Sequence, residues 1–216
     1  MRGVITLDGP AGVGKSTIAK RVAEHCGIAY LDTGAMFRII AKTLGREGVT
    51  LPDAELAGAL GSLSFSLAGV GAVTILACNG VAAGQEIRTE EVGKLASDYA
   101  VKPVVRTFLK QAQQDLGETY PLVAEGRDMG TAIFPNAFRK FFLDAAPEVR
   151  ALRRVRQLAE NGISEDVATV ARQIRERDEQ DRNRPVAPLK AADDAVVIDT
   201  SAMDVDQVFQ TIIKML

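Results

Sequence analysis

The sequence predicts an α/β fold of three layers, a five-stranded parallel sheet with helices on both faces. Three observations carry that prediction. Five short apolar runs alternate with long helical patterns, a glycine-rich turn joins the first run to the first helix, and the chain closes on a strongly amphipathic helix. Residues 4–7 form the first run. Ile18, Ala19, Val22, Ala23 and Cys26 then recur at helical spacing up to Gly27, a residue suited to the position just past a helix. Residues 29–31 give a second strand, and Asp32 or Thr33 can cap a helix running toward Gly48. Residues 122–124, 140–143 and 195–198 supply the remaining strands. Val205, Val208, Phe209, Ile212, Ile213 and Leu216 mark one face of the closing helix, which is expected to pack on the sheet.

Two stretches depart from this alternation. Residues 63–67, 73–78 and 81–83 read as short β segments, the last two joined by Asn79-Gly80, a type I′ hairpin signal. They predict a small inserted sheet over residues 61–101, followed by a helix that starts at Pro103 and runs to Gly117 on Val105, Phe108, Leu109, Ala112 and Leu116. Residues 148–184 are charge-dense, carry nine arginines, break at Asn161-Gly162 and stop at Pro185, the pattern of two helices with a mobile turn between them.

At 216 residues and 47% hydrophobic, the chain can bury one sizeable core, so residues 1–216 are expected to form a single domain. Within it, 1–60, 102–150 and 185–216 make the core, 61–101 the insert and 151–184 a lid-like region. A net charge of −2 leaves no basic excess, which argues against a nucleic-acid partner. The N-terminus enters an apolar strand at once, and no apolar run approaches the roughly 18 residues of a membrane span, so a cytoplasmic protein without a membrane partner is expected. Cys26 and Cys78 lack metal-ligand spacing and suit reduced thiols. His25, the only histidine, lies beside the apolar stripe of the first helix with no Cys, Asp or Glu at ligand spacing.

Gly9-Pro10-Ala11-Gly12-Val13-Gly14-Lys15-Ser16, followed by Thr17, satisfies G-x-x-x-x-G-K-[ST] between a strand and a helix. The glycines let successive backbone N–H groups turn inward as an anion nest, and the helix N-terminus adds partial positive charge. Lys15, expected in an exposed loop, can reach the β- and γ-phosphates, while the Ser16 hydroxyl can ligate Mg²⁺. ATP and Mg²⁺ are therefore the expected cofactors, on a P-loop NTPase three-layer fold. Asp8 and Glu125 each follow or end a strand, and either could support the metal. Equally, either could orient backbone amides or pair with an arginine. The absence of an Asn-Lys-x-Asp signature argues against a GTPase.

A phosphate loop names the donor, and its surroundings decide between an NTPase, a switch and a kinase. Arg177, Asp181 and Arg184 lie at i, i+4 and i+7 on one helical stripe. Arg172, Glu176, Asp178 and Arg182 fit an exposed helix laced with ion pairs, and spacing alone leaves that description open for the whole stretch. Arg127-Asp128 follows the strand ending at Glu125, where ligands of open α/β sheets bind.

These segments together resemble the bacterial cytidylate kinases of the nucleoside monophosphate kinase family almost end to end. The resemblance rests on Ile5-Thr6-Leu7-Asp8-Gly9-Pro10, Leu31-Asp32-Thr33-Gly34-Ala35-Met36-Phe37-Arg38, Glu86-Ile87-Arg88-Thr89, Gly126-Arg127-Asp128-Met129-Gly130-Thr131, and Glu176-Arg177-Asp178 through Asp181-Arg182-Asn183-Arg184. It implies transfer of the γ-phosphoryl of ATP to CMP or dCMP in pyrimidine nucleotide metabolism. It also implies that Ser97, Arg106 and Asp128 read the cytosine ring and that Arg177 and Asp181 hold the sugar. Arg38, Arg127 and Arg184 would clamp the acceptor phosphate, with Thr33 also on the acceptor side. Lys15, Arg127, Arg153, Arg154 and Arg184 would stabilise the transferring group. The insert would bind the monophosphate, and a short helical lid would close over the nucleotides with Gly162 as a hinge, in a protein expected to be monomeric. Two other classes stay in view: a kinase for another small acceptor such as UMP or a sugar acid, which should lack the Asp128–Arg106–Ser97 set, and a non-enzymatic nucleotide switch, which would need no acceptor arginines.

Overall fold

The computed structural model describes residues 3–160 and 162–216. In chain order the elements are β1 (Val4–Asp8), α1 (Lys15–Cys26), β2 (Ala29–Asp32), α2 (Thr33–Thr50), α3 (Asp53–Gly61), β3 (Phe65–Ala68), β4 (Ile75–Cys78), β5 (Val81–Ala82), α4 (Glu90–Ala100), α5 (Pro103–Thr119), β6 (Leu122–Gly126), β7 (Arg139–Asp144), α6 (Pro147–Glu160), α7 (Val167–Asn183), β8 (Val196–Asp199) and α8 (Val205–Ile213). The five expected core strands form one parallel sheet in the order β2-β6-β1-β7-β8. Ile5 of β1 registers with Arg139 of β7, and Phe141 of β7 with Val196 of β8. The central strands β1 and β6 are mostly apolar because both faces are covered: Val4, Ile5 and Leu7, like Leu122, Val123 and Ala124, are buried.

The chain divides into two compact units. One contains Ala23–Ala124, the other Ile5–Val22 with Glu125–Leu216. In the first, the expected inserted sheet is present as antiparallel β3-β4-β5, and Asn79 and Gly80 both take positive φ, 50° and 78°, as a type I′ turn demands. Asp32 caps α2 by accepting the Ala35 amide at 2.9 Å. That helix is not continuous toward Gly48 as its periodicity suggested. It breaks at Gly45, with φ 61° and ψ −165°, and the carbonyl freed there accepts the hydroxyl of the fully buried Tyr99 of α4 at 2.7 Å. Tyr99 fits because Gly48 has no side chain: a Cβ there would stand 2.2 Å from its hydroxyl oxygen.

In the second unit, α6 and α7 pack together on Ala151, Val170, Ala171 and Ile174. The turn expected at Asn161-Gly162 falls partly outside the described residues, since Asn161 is not among them. α8 opens on a reciprocal cap, Asp204 accepting the Gln207 amide while Gln207 accepts that of Asp204, and it buries Val208 and Ile212 as the stripe predicted. Among the described residues, no helix is long and apolar enough to cross a membrane.

Candidate active site

β1 ends at Asp8 and α1 begins at Lys15, so residues 9–14 form the loop between them. Gly9 is required by close approach: a Cβ there would lie 2.1 Å from the Leu143 carbonyl oxygen of β7. Lys15 then folds back and donates from Nζ to the Pro10 carbonyl at 2.7 Å. The residue is only 7% exposed, which corrects the expectation of an exposed lysine. The helix start turns the aliphatic stem inward under the loop, and only the far end carries charge. Burial pushes the Lys15 ammonium down to about 7, reinforced by the nearby Arg127 and opposed by Glu125, Asp8 and Asp181. A desolvated cation inside an amide-rich loop fits a polyanion such as a nucleotide polyphosphate. Ser16 and Thr17 are exposed at the first turn of α1, and the Ser16 hydroxyl is available as a metal ligand.

The two carboxylates that sequence could not separate have different surroundings. Both oxygens of Asp8 accept backbone amides, Met129 at 2.8 Å and Gly130 at 2.7 Å. Burial lifts Asp8 to about 6, with those amides pulling down and Asp128 pushing up. Asp8 thereby pins a single π-helical turn over Met129–Ile133, where the Phe134 amide reaches back to the Met129 carbonyl at 2.7 Å. Glu125 is buried near the end of β6, within electrostatic reach of Lys15.

The structure ties together four residues that the sequence singled out after β6 and along α7. Arg127 Nε donates to Asp181 Oδ2 at 2.8 Å, and Arg184 Nη2 donates to Asp128 Oδ1 at 3.0 Å. Arg184 also stands 3.9 Å from Asp181. Asp128 is 4% exposed, unusual for a carboxylate unless paired. Arg177 lies exposed on α7. Asp178 departs from expectation. It is buried, 7% exposed, and forms a bidentate pair with Arg150 of α6 rather than joining a solvated lattice of charges. The reason is the neighbouring helix, which covers the Val170, Ala171, Ile174 and Asp178 face of α7.

In the other unit, Arg38 of α2 donates from Nη1 to the carbonyls of Ile87 at 2.9 Å and Thr89 at 3.1 Å. Its guanidinium lies against Gly93 of α4, where a Cβ would come within 2.7 Å of Nη2. Ser97 donates to the Gly93 carbonyl at 3.1 Å, so one glycine sets both residues. Arg106 donates to the Ala100 carbonyl at 3.4 Å, and Thr33 is buried at the first position of α2. Arg153 and Arg154 of α6 have other engagements. Arg153 holds the segment after β8, donating to Thr200 Oγ1 at 3.1 Å and to the Met203 carbonyl at 3.2 Å, while exposed Arg154 donates to Gln157 at 2.8 Å. Sequence reading missed Arg150 and Gly93. Arg150 carried no local signal, and Gly93 interrupts a helical run without marking a turn.

A strand, a glycine loop enclosing a buried lysine, and a helix define a P-loop phosphate-binding protein. The cytidylate kinase family model matches residues 5–216, and the chain belongs to that family. It is 57% identical over 211 residues to the cytidylate kinase of Nitratidesulfovibrio vulgaris, covering 98% of this chain and 91% of that one. It is also 57% identical over 213 residues to the cytidylate kinase of Oleidesulfovibrio alaskensis, covering 99% and 97%. Among solved structures, an uncharacterized protein from Eubacterium ventriosum superposes with a TM-score of 0.54 at 15% identity, covering 100% of this chain and 98% of that one, a likeness of fold alone.

Proposed function

We propose that this protein is an ATP-dependent (d)CMP kinase. An oxygen of the acceptor's phosphate bonds to the γ-phosphorus of ATP as the bond from that phosphorus to the β,γ-bridging oxygen breaks, giving CDP or dCDP and ADP. The observation that carries the proposal is the linked charge set of one unit. Lys15 lies in the field of Arg127, Glu125 and Asp181, and Asp181 and Asp128 are in turn paired with Arg127 and Arg184. Such transfer needs positioning and charge stabilisation rather than a covalent nucleophile.

Residues 9–17 would hold ATP, with Lys15 on its β- and γ-phosphates. Ser16 would ligate Mg²⁺, which when bound neutralises charge on the phosphates. Asp8 or Glu125 would support the metal site, and Asp8 does so while its oxygens accept the Met129 and Gly130 amides. On the acceptor side, the family resemblance assigns Ser97, Arg106 and Asp128 to the base and Arg177 and Asp181 to the sugar. It assigns Arg38, Arg127 and Arg184 to the phosphate, with Thr33 beside them. Arg127 and Arg184 are the arginines best supported for the transferring phosphoryl, since both belong to the charge set linked to Lys15, whereas Arg153 is tied to Thr200 and Met203 after β8. Arg154 is exposed on α6 and donates to Gln157. Cytosine offers a 4-amino donor to Asp128, whereas uracil would present a carbonyl to it. Product analysis tests the reaction directly: ATP and CMP should yield CDP and ADP in equal amounts, and release of inorganic phosphate without CDP would overturn the proposal.

A further inference from the structure

Arg150 is 1% exposed, and a buried guanidinium must have its donors satisfied. Its Nε donates to the Ala145 carbonyl at 2.8 Å, ahead of α6. Its Nη1 donates to Asp178 Oδ1 at 3.1 Å and Nη2 to Asp178 Oδ2, on α7. Nη1 also donates at 3.0 Å to the Ala11 carbonyl, inside the phosphate loop. One side chain therefore joins three segments, and the loop lies directly on it: a Cβ on Gly12 would meet Arg150 Cβ at 3.5 Å.

Net stability does not account for this arrangement, because a buried ion pair is often matched or bettered by an apolar pair of similar volume. Geometry does. A trans peptide is planar, so its C=O and N–H point in opposite directions. Holding the Ala11 carbonyl against Arg150 turns the Gly12 N–H to the opposite side of the loop. In an anion nest, the direction of each N–H is what binds the phosphate.

We propose that Arg150, oriented by Asp178, is a positioning residue for the donor nucleotide: it fixes the Ala11–Gly12 peptide so that the Gly12 N–H serves the polyphosphate of ATP. The inference rests on residues 9–16 being the donor's phosphate loop and is independent of which acceptor is used.

The test is equilibrium titration of the full chain with the β,γ-imido analogue of ATP plus Mg²⁺, without acceptor, and separately with CMP, without donor. Arg150→Met combined with Asp178→Leu removes the pair without leaving a buried charge, and Arg150→Lys keeps the charge but not the fork. The double variant should keep a Tm close to that of the parent and bind the ATP analogue about tenfold more weakly, with CMP affinity unchanged. Arg150→Lys should fall between the two. A folded double variant with unchanged affinity for the analogue overturns the proposal, as does an equal loss for analogue and CMP, which would indicate a general packing role. Should the double variant fail to fold, Arg150→Lys decides alone, and parental affinity for the analogue in that variant is the contrary result. Binding of the analogue without any binding of CMP would sink the acceptor assignment and leave this inference standing.

Discussion

Arg184 and Asp128 form a buried pair, Nη2 to Oδ1 at 3.0 Å, with side-chain exposures of 8% and 6%. The proposed reader of the base is thus held by a proposed clamp of the acceptor phosphate. A fixed carboxylate can discriminate, because it always presents an acceptor, whereas an amide can rotate to present a donor. Asp128→Asn should therefore lower the ratio of kcat/KM for CMP over UMP by roughly tenfold or more, about 1–3 kcal/mol for one altered recognition contact. Arg177→Ala, aimed at the sugar, should leave that ratio nearly unchanged. Equal losses for both acceptors in Asp128→Asn would make Asp128 a support for Arg184 instead of a reader.

Gly93 bears on acceptor binding from a different direction. A methyl group there cannot coexist with the Arg38 guanidinium, 2.7 Å from the added Cβ. Gly93→Ala should displace Arg38 while favouring the α4 helix by about 1 kcal/mol. The expected outcome is an undiminished Tm, a KM for CMP raised about tenfold or more, and a KM for ATP within about twofold. An unchanged KM for CMP would show that Arg38 does not bear on the acceptor.

Lys15 gives a pH dependence whose sign is fixed by its burial. With its folded value near 7 and its ordinary value near 10.5, the empty protein has lost this proton across most of that window while the unfolded chain still holds it. Stability from this group therefore rises as pH climbs from about 7 toward 10.5, and the cost of burying the charge is fully present below 7. A bound polyphosphate restores the charged form, so binding of ATP should take up a proton and weaken as pH rises above about 7. Calorimetry in buffers of different ionisation enthalpy reads that uptake. Lys15→Met should abolish it, reduce kcat by at least about a hundredfold, and raise the stability of the empty protein at pH 6. Proton release on binding would contradict the assignment.

Tyr99 tests the break in α2. Tyr99→Phe leaves the half-buried Gly45 carbonyl without its hydroxyl donor and should cost about 1 kcal/mol of unfolding free energy by denaturant titration. A neutral substitution would mean that water replaces the hydroxyl there.

Local signals made much of the fold legible. The five sheet strands, the Asn79-Gly80 turn, the helix from Pro103 and the closing stripe of α8 are each written within a few residues, and the structure has them. α3 and α4 were passed over although Asp53 and Glu55 in one, and Thr89 with Glu90 and Glu91 in the other, are ordinary helix-start chemistry. α3 is short and only weakly amphipathic, and α4 lies inside the stretch whose other apolar runs read as β. The break at Gly45 depends on Tyr99, 54 residues away, and no local window contains both. At the site, motif residues such as Lys15, Arg127 and Asp128 could be named from spacing and resemblance, but their partners could not. The burial of Lys15 follows from how the loop wraps its stem. Asp178 looked like one more surface charge because Arg150 lies 28 positions back and Ala11 a further 139 from Arg150.

Acceptor choice is read by kcat/KM from coupled ADP release for CMP, dCMP, UMP, AMP, GMP and shikimate at saturating ATP–Mg²⁺. CMP and dCMP should stand above all the others. A higher value for any other acceptor than for both cytidine nucleotides would contradict the acceptor assignment.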